Sequence, residues 1–312
     1  MGTIDFNCQL PTERALELLH GDMPEFMNNY LRVLGPRQAA RLGIEAEEFA
    51  ARLKQGDYDG LRARLAELRR RSAIGLEDFL AAWPGLGLSH GVITHRDNGY
   101  TAELVAAHPD RFTGLAQVDL SQGQAAALRQ LDEAAERGLK GLFLVPFFDD
   151  RYPFDPDYQP LYARCQELNL PVSIHCSMHY ALGRRVDFAR PIHLDQVAVA
   201  FPDLTIIARL GGWPWVAELV GLAIRHPRLY INLSSHRPRY LAAPGAGWEA
   251  LFHFGQNVLK DKVIFGSSWL DLGLDLAQVY QEFDGLPLDK DIKILWLETN
   301  AARLLGLAAG PE

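Results

Sequence analysis

Eight short apolar, β-branched runs separated by amphipathic helical segments constrain this chain more than any other feature. They are 3–8 "TIDFNC", 88–94 "LSHGVIT", 112–118 "FTGLAQV", 140–145 "KGLFLV", 170–176 "LPVSIHC", 204–209 "LTIIAR", 229–234 "LYINLS" and 262–267 "KVIFGS". Strands that alternate with helices pair in parallel, because each helix carries the chain back across the sheet. Eight such units predict an α/β fold, a single closed (β/α)8 TIM barrel, and 312 residues fit one such domain. The segment 121–137 reads as one of the covering helices, with Ser121 as its cap and Gly138 as its stop.

One connection is too long. Residues 20–82 lie between the first and second strands and include the charged helical pair "EAEEFAARLKQGDYDGLRARLAELRRRS". Ordinary barrel connections are far shorter, so this stretch is expected to be a helical insertion, a lid over the barrel mouth or a subunit interface.

The formal charge is −8, and no basic run stands against it, which argues against a nucleic-acid partner. No stretch reaches the roughly 18 apolar residues of a membrane span. Cys8, Cys165 and Cys176 lack CxxC spacing and sit in apolar surroundings, as reduced thiols do. The expected location is the cytoplasm and the expected ligand a small molecule. There is no P-loop, no GxGxxG after a strand and no GxSxG elbow, so nucleotide binding and serine hydrolysis gain no support.

Seven stretches, "AELVAAHPDRFTGLAQVD", "GLKGLFLVPFF", "DPDYQPLYARCQELNLPVSIHC", "FPDLTIIARLGGWPWVAELVGLA", "HPRLYINLSS", "VIFGSSW" and "LETNAARLLGL", stand in the order of a known family. The chain resembles the amidohydrolase-2 group, which includes aminocarboxymuconate semialdehyde decarboxylase and related hydrolases and decarboxylases. The resemblance implies a barrel whose site lies at the C-terminal strand ends. It also implies a divalent metal, and there the residues depart from the pattern. Asn7 and Gln9 stand where the family has a His-x-His pair, Arg209 replaces a histidine before the double glycine Gly211–Gly212, and Ser268 replaces the strand-eight aspartate. His175 in "SIHCS" matches the family. Amides are weak ligands compared with imidazole, guanidinium cannot bind a cation, and a hydroxyl cannot act as that carboxylate's general base. No metal site of the family type and no other cofactor is therefore expected.

Arg209 is suited to a carboxylate or a developing oxyanion, with His175 as an acid/base group and Asp271 as its ion-pair partner or a displaced base. Asn7, Gln9, Arg209, His236, Ser268 and Trp269 are expected to contact substrate. Arg237 and Arg239 would reach the mouth with His236 or belong to a solvated loop, and Trp213 and Trp215 read as core or pocket wall. Cys8 and Cys176 should face the helices, because neighbours on a strand point opposite ways. Three functions remain. The first is a non-catalytic or altered partner subunit of an active relative, in a hetero-oligomer or homo-oligomer. The second is a metal-independent hydrolase, lactonase or decarboxylase of a small carboxylated or aromatic molecule. The third is a binding protein or an atypical single-metal site built on Cys8, His175 and His179.

Overall fold

The computed structural model describes residues 2–20 and 24–307. Its strands are β1 (Thr3–Asp5), β2 (Leu88–Ile93), β3 (Phe112–Gly114), β4 (Leu142–Leu144), β5 (Val172–His175), β6 (Ile206–Arg209), β7 (Leu229–Asn232) and β8 (Val263–Ile264). All neighbouring pairs are parallel, in the ladders β1-β2-β3 and β4-β5-β6-β7-β8. Two seams close the ring. A bridge between Ala116 and Leu142 joins β3 to β4, and Phe6 N–H donates to the Phe265 carbonyl at 3.1 Å to join β1 to the continuation of β8. The result is the (β/α)8 barrel, although its hydrogen-bonded ladders are shorter than the apolar runs that announce them.

The barrel interior is filled. Ile4, Val92, Ile207 and Ile264 pack with Leu115 and with Ala301 of the closing helix Asn300–Leu305. Branched side chains from β1, β2, β6 and β8 fill the interior in this way. The covering helix predicted at 121–137 runs Gln124–Glu136 with Gly123 as its cap. Ser121 does not cap it; its backbone N–H and hydroxyl both donate to Asp119, which caps a short turn upstream.

Between β1 and β2 the chain forms α1 (Glu13–His20), α2 (Asn28–Val33), α3 (Gly35–Arg41), α4 (Ala46–Gln55), α5 (Tyr58–Arg71) and α6 (Leu76–Leu86). Part of the predicted insertion, 21–23, lies outside the described residues. The charged pair at its centre becomes α4 and α5. Asp57 starts α5 by accepting from Gly60 N–H at 3.0 Å, and Gly56 ends α4 in the left-handed region. Leu61 and Leu65 of α5 pack with Phe49 of α4 and with Ala39 and Ile44 in a small core of their own. Helix α3 is seated against the barrel at Gly273, whose φ is +62° and where a Cβ would come within 2.8 Å of the Arg37 carbonyl carbon. Only glycine allows that approach.

Candidate active site

A cavity of about 370 Å³ opens at the C-terminal strand ends, under α2, α3 and α5. Asn7, Gln9, His175, Arg209, His236 and Asp271 all line it.

Its floor is a polar chain. The Arg209 guanidinium donates to Asn7 Oδ1, Asn7 Nδ2 donates to Ser268 Oγ, and Ser235 Oγ donates to Ser268 Oγ at 2.8 Å. Beneath it, Asp5 Oδ1 accepts from Asn7 N–H at 3.0 Å and Ser267 N–H at 2.7 Å, tying β1 to the end of β8. Burial pushes the Asp5 carboxyl up, against the pull of those bonds and of Arg209. Leu210, Ser235 and Ser268 hold positive φ of 74°, 62° and 46° in the loops after β6, β7 and β8. Non-glycine residues held in that region cost about 1–3 kcal/mol each and cluster at functional sites.

Arg209 is 7% exposed, and its guanidinium carbon lies 4.1 Å from the centre of the Phe143 ring. Burial lowers its pKa to about 10, against the attraction of Asp271 and Asp5. The ion pair with Asp271 expected from the sequence is not formed. The guanidinium turns to the Asn7 amide, while Asp271 Oδ2 accepts from Gln9 Nε2 at 2.8 Å. Gln9 is itself locked, because its Oε1 accepts from Leu270 and Asp271 N–H at 2.9 and 3.2 Å. Burial raises the Asp271 carboxyl, opposed by Gln9, Arg69 and Arg209.

His175 stands edge-on to Phe147 at 4.9 Å, with Nδ1 buried and unpartnered. Burial, His179 and Arg209 depress its pKa to about 3, so the imidazole is neutral. His236 donates Nε2–H to the Leu210 carbonyl at 2.9 Å and is depressed by burial to about 4.

Two expected contact residues do not line this cavity. Ser268 is fully buried beneath Asn7 and Ser235. Trp269 turns outward, with Nε1 donating to the Gln9 carbonyl at 2.8 Å and its ring stacked on Phe79. Arg237 and Arg239 also leave the mouth. The turn at Pro238–Leu241 carries them to Glu282, which accepts from Arg237 Nε at 2.8 Å, and to the Tyr240 hydroxyl. Trp213 does not line the cavity; it packs against the core, with Nε1 donating to the Ala246 carbonyl at 3.0 Å. Gly211 and Gly212, at φ +64° and +76°, make the tight turn after β6. The three thiols are buried in the core, and burial pushes Cys165 up to about 12, which leaves no reactive thiolate.

Residues not singled out in the sequence complete the cavity. The strand-end segments after β2 and β3 bring Thr94, His95, Arg96 and Gln117, and the insertion brings Tyr30, Gln38, Arg62 and Arg69. Arg69 is 9% exposed, donates to Gln38 Oε1 at 2.5 Å and is lowered to about 10 by burial. Gln38 Nε2 in turn donates to the Asp271 carbonyl at 3.1 Å, which fastens the insertion to the mouth. The lining thus carries Arg62, Arg69, Arg96 and Arg209 against one acid, Asp271. The signal for His95 and Gln117 was their place just past a strand end.

A family model described as amidohydrolase matches residues 33–307. An uncharacterized TIM-barrel protein from Bordetella bronchiseptica is similar at 24% identity over 98% of this chain and 99% of that one, with a TM-score of 0.73. A probable 2-pyrone-4,6-dicarboxylic acid hydrolase from Acinetobacter baumannii, with citric acid bound, is 19% identical over 75% and 90%, with a TM-score of 0.57. The 5-carboxyvanillate decarboxylase of Novosphingobium aromaticivorans, complexed with manganese and 4-hydroxy-3-methoxy-5-nitrobenzoic acid, is 16% identical over 98% and 96%, with a TM-score of 0.61. No curated protein matches.

The residues at this mouth do not fit a divalent ion. The fixed cation of Arg209 occupies Asn7 Oδ1, both backbone donors occupy Gln9 Oε1, and His175 is the single imidazole at the five positions 7, 9, 175, 209 and 268. Among the described residues no three His, Cys, Asp or Glu side chains form a metal-holding group, including Cys8 with His175 and His179. His179 stacks on Phe147 at 4.1 Å and donates Nε2–H to the Arg185 carbonyl at 3.0 Å. No described helix is long and apolar enough to cross a membrane.

Proposed function

Because the chain belongs to the amidohydrolase family, we propose that it hydrolyses a small carboxylated lactone or ester without a divalent metal. The observation that carries this reading is Arg209, a buried guanidinium that bonds to the Asn7 amide rather than pairing directly with Asp271 or Asp5, and that borders an aromatic-walled cavity. A buried charge with no acid bonded directly to it favours an added anion, because the cost of desolvating it is already met by the fold. Phe143, Phe147, Phe148 and Tyr180 suit a flat ligand. The hydrolase and decarboxylase in the same structural neighbourhood both carry names of small carboxylated ring compounds.

Charge flow decides between hydrolysis and decarboxylation. A carboxylate held on Arg209 is stabilised in the ground state, and that stabilisation is lost as carbon dioxide leaves. In hydrolysis the negative charge instead develops on the carbonyl oxygen, where a fixed guanidinium stabilises the transition state more than the substrate. The insertion acts as a lid that excludes water around these charges.

Isothermal titration with isophthalate and a hydrolysis panel of 2-pyrone-4,6-dicarboxylate and carboxylated aryl lactones test the reading. Wild-type protein should bind and hydrolyse, prolonged chelation by EDTA should leave both unchanged, and Arg209→Met should weaken isophthalate binding by at least about tenfold to a hundredfold. Activity that disappears on chelation and returns with manganese would sink the metal-free mechanism. Binding without turnover, together with a co-purifying relative, would favour the non-catalytic partner subunit.

A further inference from the structure

Three imidazoles line the cavity, those of His95, His175 and His236, and their hydrogen bonds assign them different chemistry. The hydroxyl of Thr101 resolves the first. In helix α7 (Asn98–Ala107), Thr101 Oγ1 lies 3.1 Å from the Asp97 carbonyl oxygen, which can only accept, so the hydroxyl proton is committed there. The same oxygen lies 3.1 Å from His95 Nδ1. The Asp97 carbonyl also accepts the Thr101 backbone N–H at 3.1 Å, and with the hydroxyl donating to the same oxygen, Thr101 Oγ1 accepts from His95 Nδ1–H. Both residues are buried, at 8% exposure for His95 and 0% for Thr101. This arrangement favours the Nδ1–H tautomer of His95, with the lone pair on Nε2, away from its own backbone.

The other two imidazoles lack this arrangement. His175 has Nδ1 buried without a partner, so nothing at that nitrogen fixes its tautomer. His236 spends its outer nitrogen on the Leu210 carbonyl, leaving its lone pair on Nδ1, crowded against its own main chain. A competent base is a lone pair aimed outward and oriented by a second group on the opposite nitrogen, and His95 meets both conditions.

Resting on the hydrolase reading above, we propose that His95 is the general base of this site and that Thr101 is its positioning residue. His95 Nε2 takes a proton from a water molecule as the water oxygen bonds to the substrate carbonyl carbon. The carbonyl π pair moves to oxygen, where Arg209 receives the charge. Collapse of the adduct breaks the carbon–oxygen bond of the ring or ester, the leaving oxygen takes the proton from the His95 imidazolium, and His95 returns neutral. Lactone plus water gives hydroxy acid, with no other reactant. Burial depresses His95 to about 4, which keeps it in the base form throughout the neutral range. The base comes from the end of β2, in a barrel where Ser268 offers none at the end of β8.

The tautomer is read by long-range proton–nitrogen NMR of uniformly labelled protein, with His95 assigned by its loss in His95→Gln. A protonated Nδ1 and a bare Nε2 near neutral pH are expected; the opposite tautomer or an imidazolium would overturn the assignment. In the hydrolysis panel, His95→Gln should lower kcat by about a hundredfold to ten-thousandfold, with isophthalate affinity within about threefold of wild type. Thr101→Val should lower kcat about tenfold and mix the two tautomers in the spectrum, a change that loss of packing alone would not produce. If His95→Gln binds isophthalate and keeps wild-type turnover, the role assigned to His95 is wrong while the site reading stands. If wild-type protein does not bind isophthalate, the site reading itself fails. If it binds but hydrolyses no member of the panel, both the hydrolase reading and the base are rejected.

Discussion

At the scale of single residues, the site depends on which side chains neutralise one another. Arg209 leans on an amide and a ring rather than on an acid, and burial lowers its pKa to about 10. Anion binding needs the protonated guanidinium, so isophthalate affinity should stay level from pH 7 to about 9 and fall steeply above about 10. Titration calorimetry across that range, with circular dichroism to monitor folding, checks this; an affinity that is flat to pH 11 would remove Arg209 from the anion site. Positions 7, 9, 175 and 209 stand out in the sequence because they sit at strand ends where the barrel rule puts chemistry, and all four line the cavity. Their partners were not legible. Asp271 lies three residues from Ser268, yet Gln9 reaches it first, and only the three-dimensional path of the loop determines that. His95 carries no mark in "ITHRDN" beyond following a strand, because its chemistry comes from a hydroxyl about one turn into the next helix.

At the scale of elements, eight strand runs could be read because each is an apolar segment whose burial does not depend on its neighbours' identity. The docking of the insertion could not. Whether α5 turns Arg69 toward the cavity depends on the small core of Phe49, Leu61 and Leu65 and on the seat that Gly273 provides for α3. Gly273→Ala should lift α3 from the mouth, with isophthalate affinity falling severalfold or more and faster amide exchange across 35–41. Unchanged exchange there would show that the close approach is dispensable. Leu65→Ala, at a fully packed position bordering the cavity, should cost about 2–5 kcal/mol of stability in the unit that contains α4 and α5, read as lowered protection in those helices by hydrogen exchange.

For the whole molecule, the neutral imidazoles couple the site to folding. His175, His95 and His236 are depressed to about 3, 4 and 4 from an ordinary 6.5. Below about pH 6.5 the unfolded chain binds protons that the folded chain refuses, so this part of the stability is fully present above 6.5 and is lost as pH falls toward 4. Asp5 and Asp271, raised by burial, act with the opposite sign nearer the carboxylate range. The thermal midpoint should therefore drop between pH 7.5 and 5, and His175→Gln should flatten that slope; an equal slope in the variant would show that His175 is not among its sources. Arg209 also carries a consequence for supply. A positive charge that is part of the chain is delivered by translation in strict one-to-one ratio. It cannot be scavenged by a chelator, exchanged for a competing ion or lost on dilution, so a barrel that relies on it is ready for its ligand as soon as it has folded.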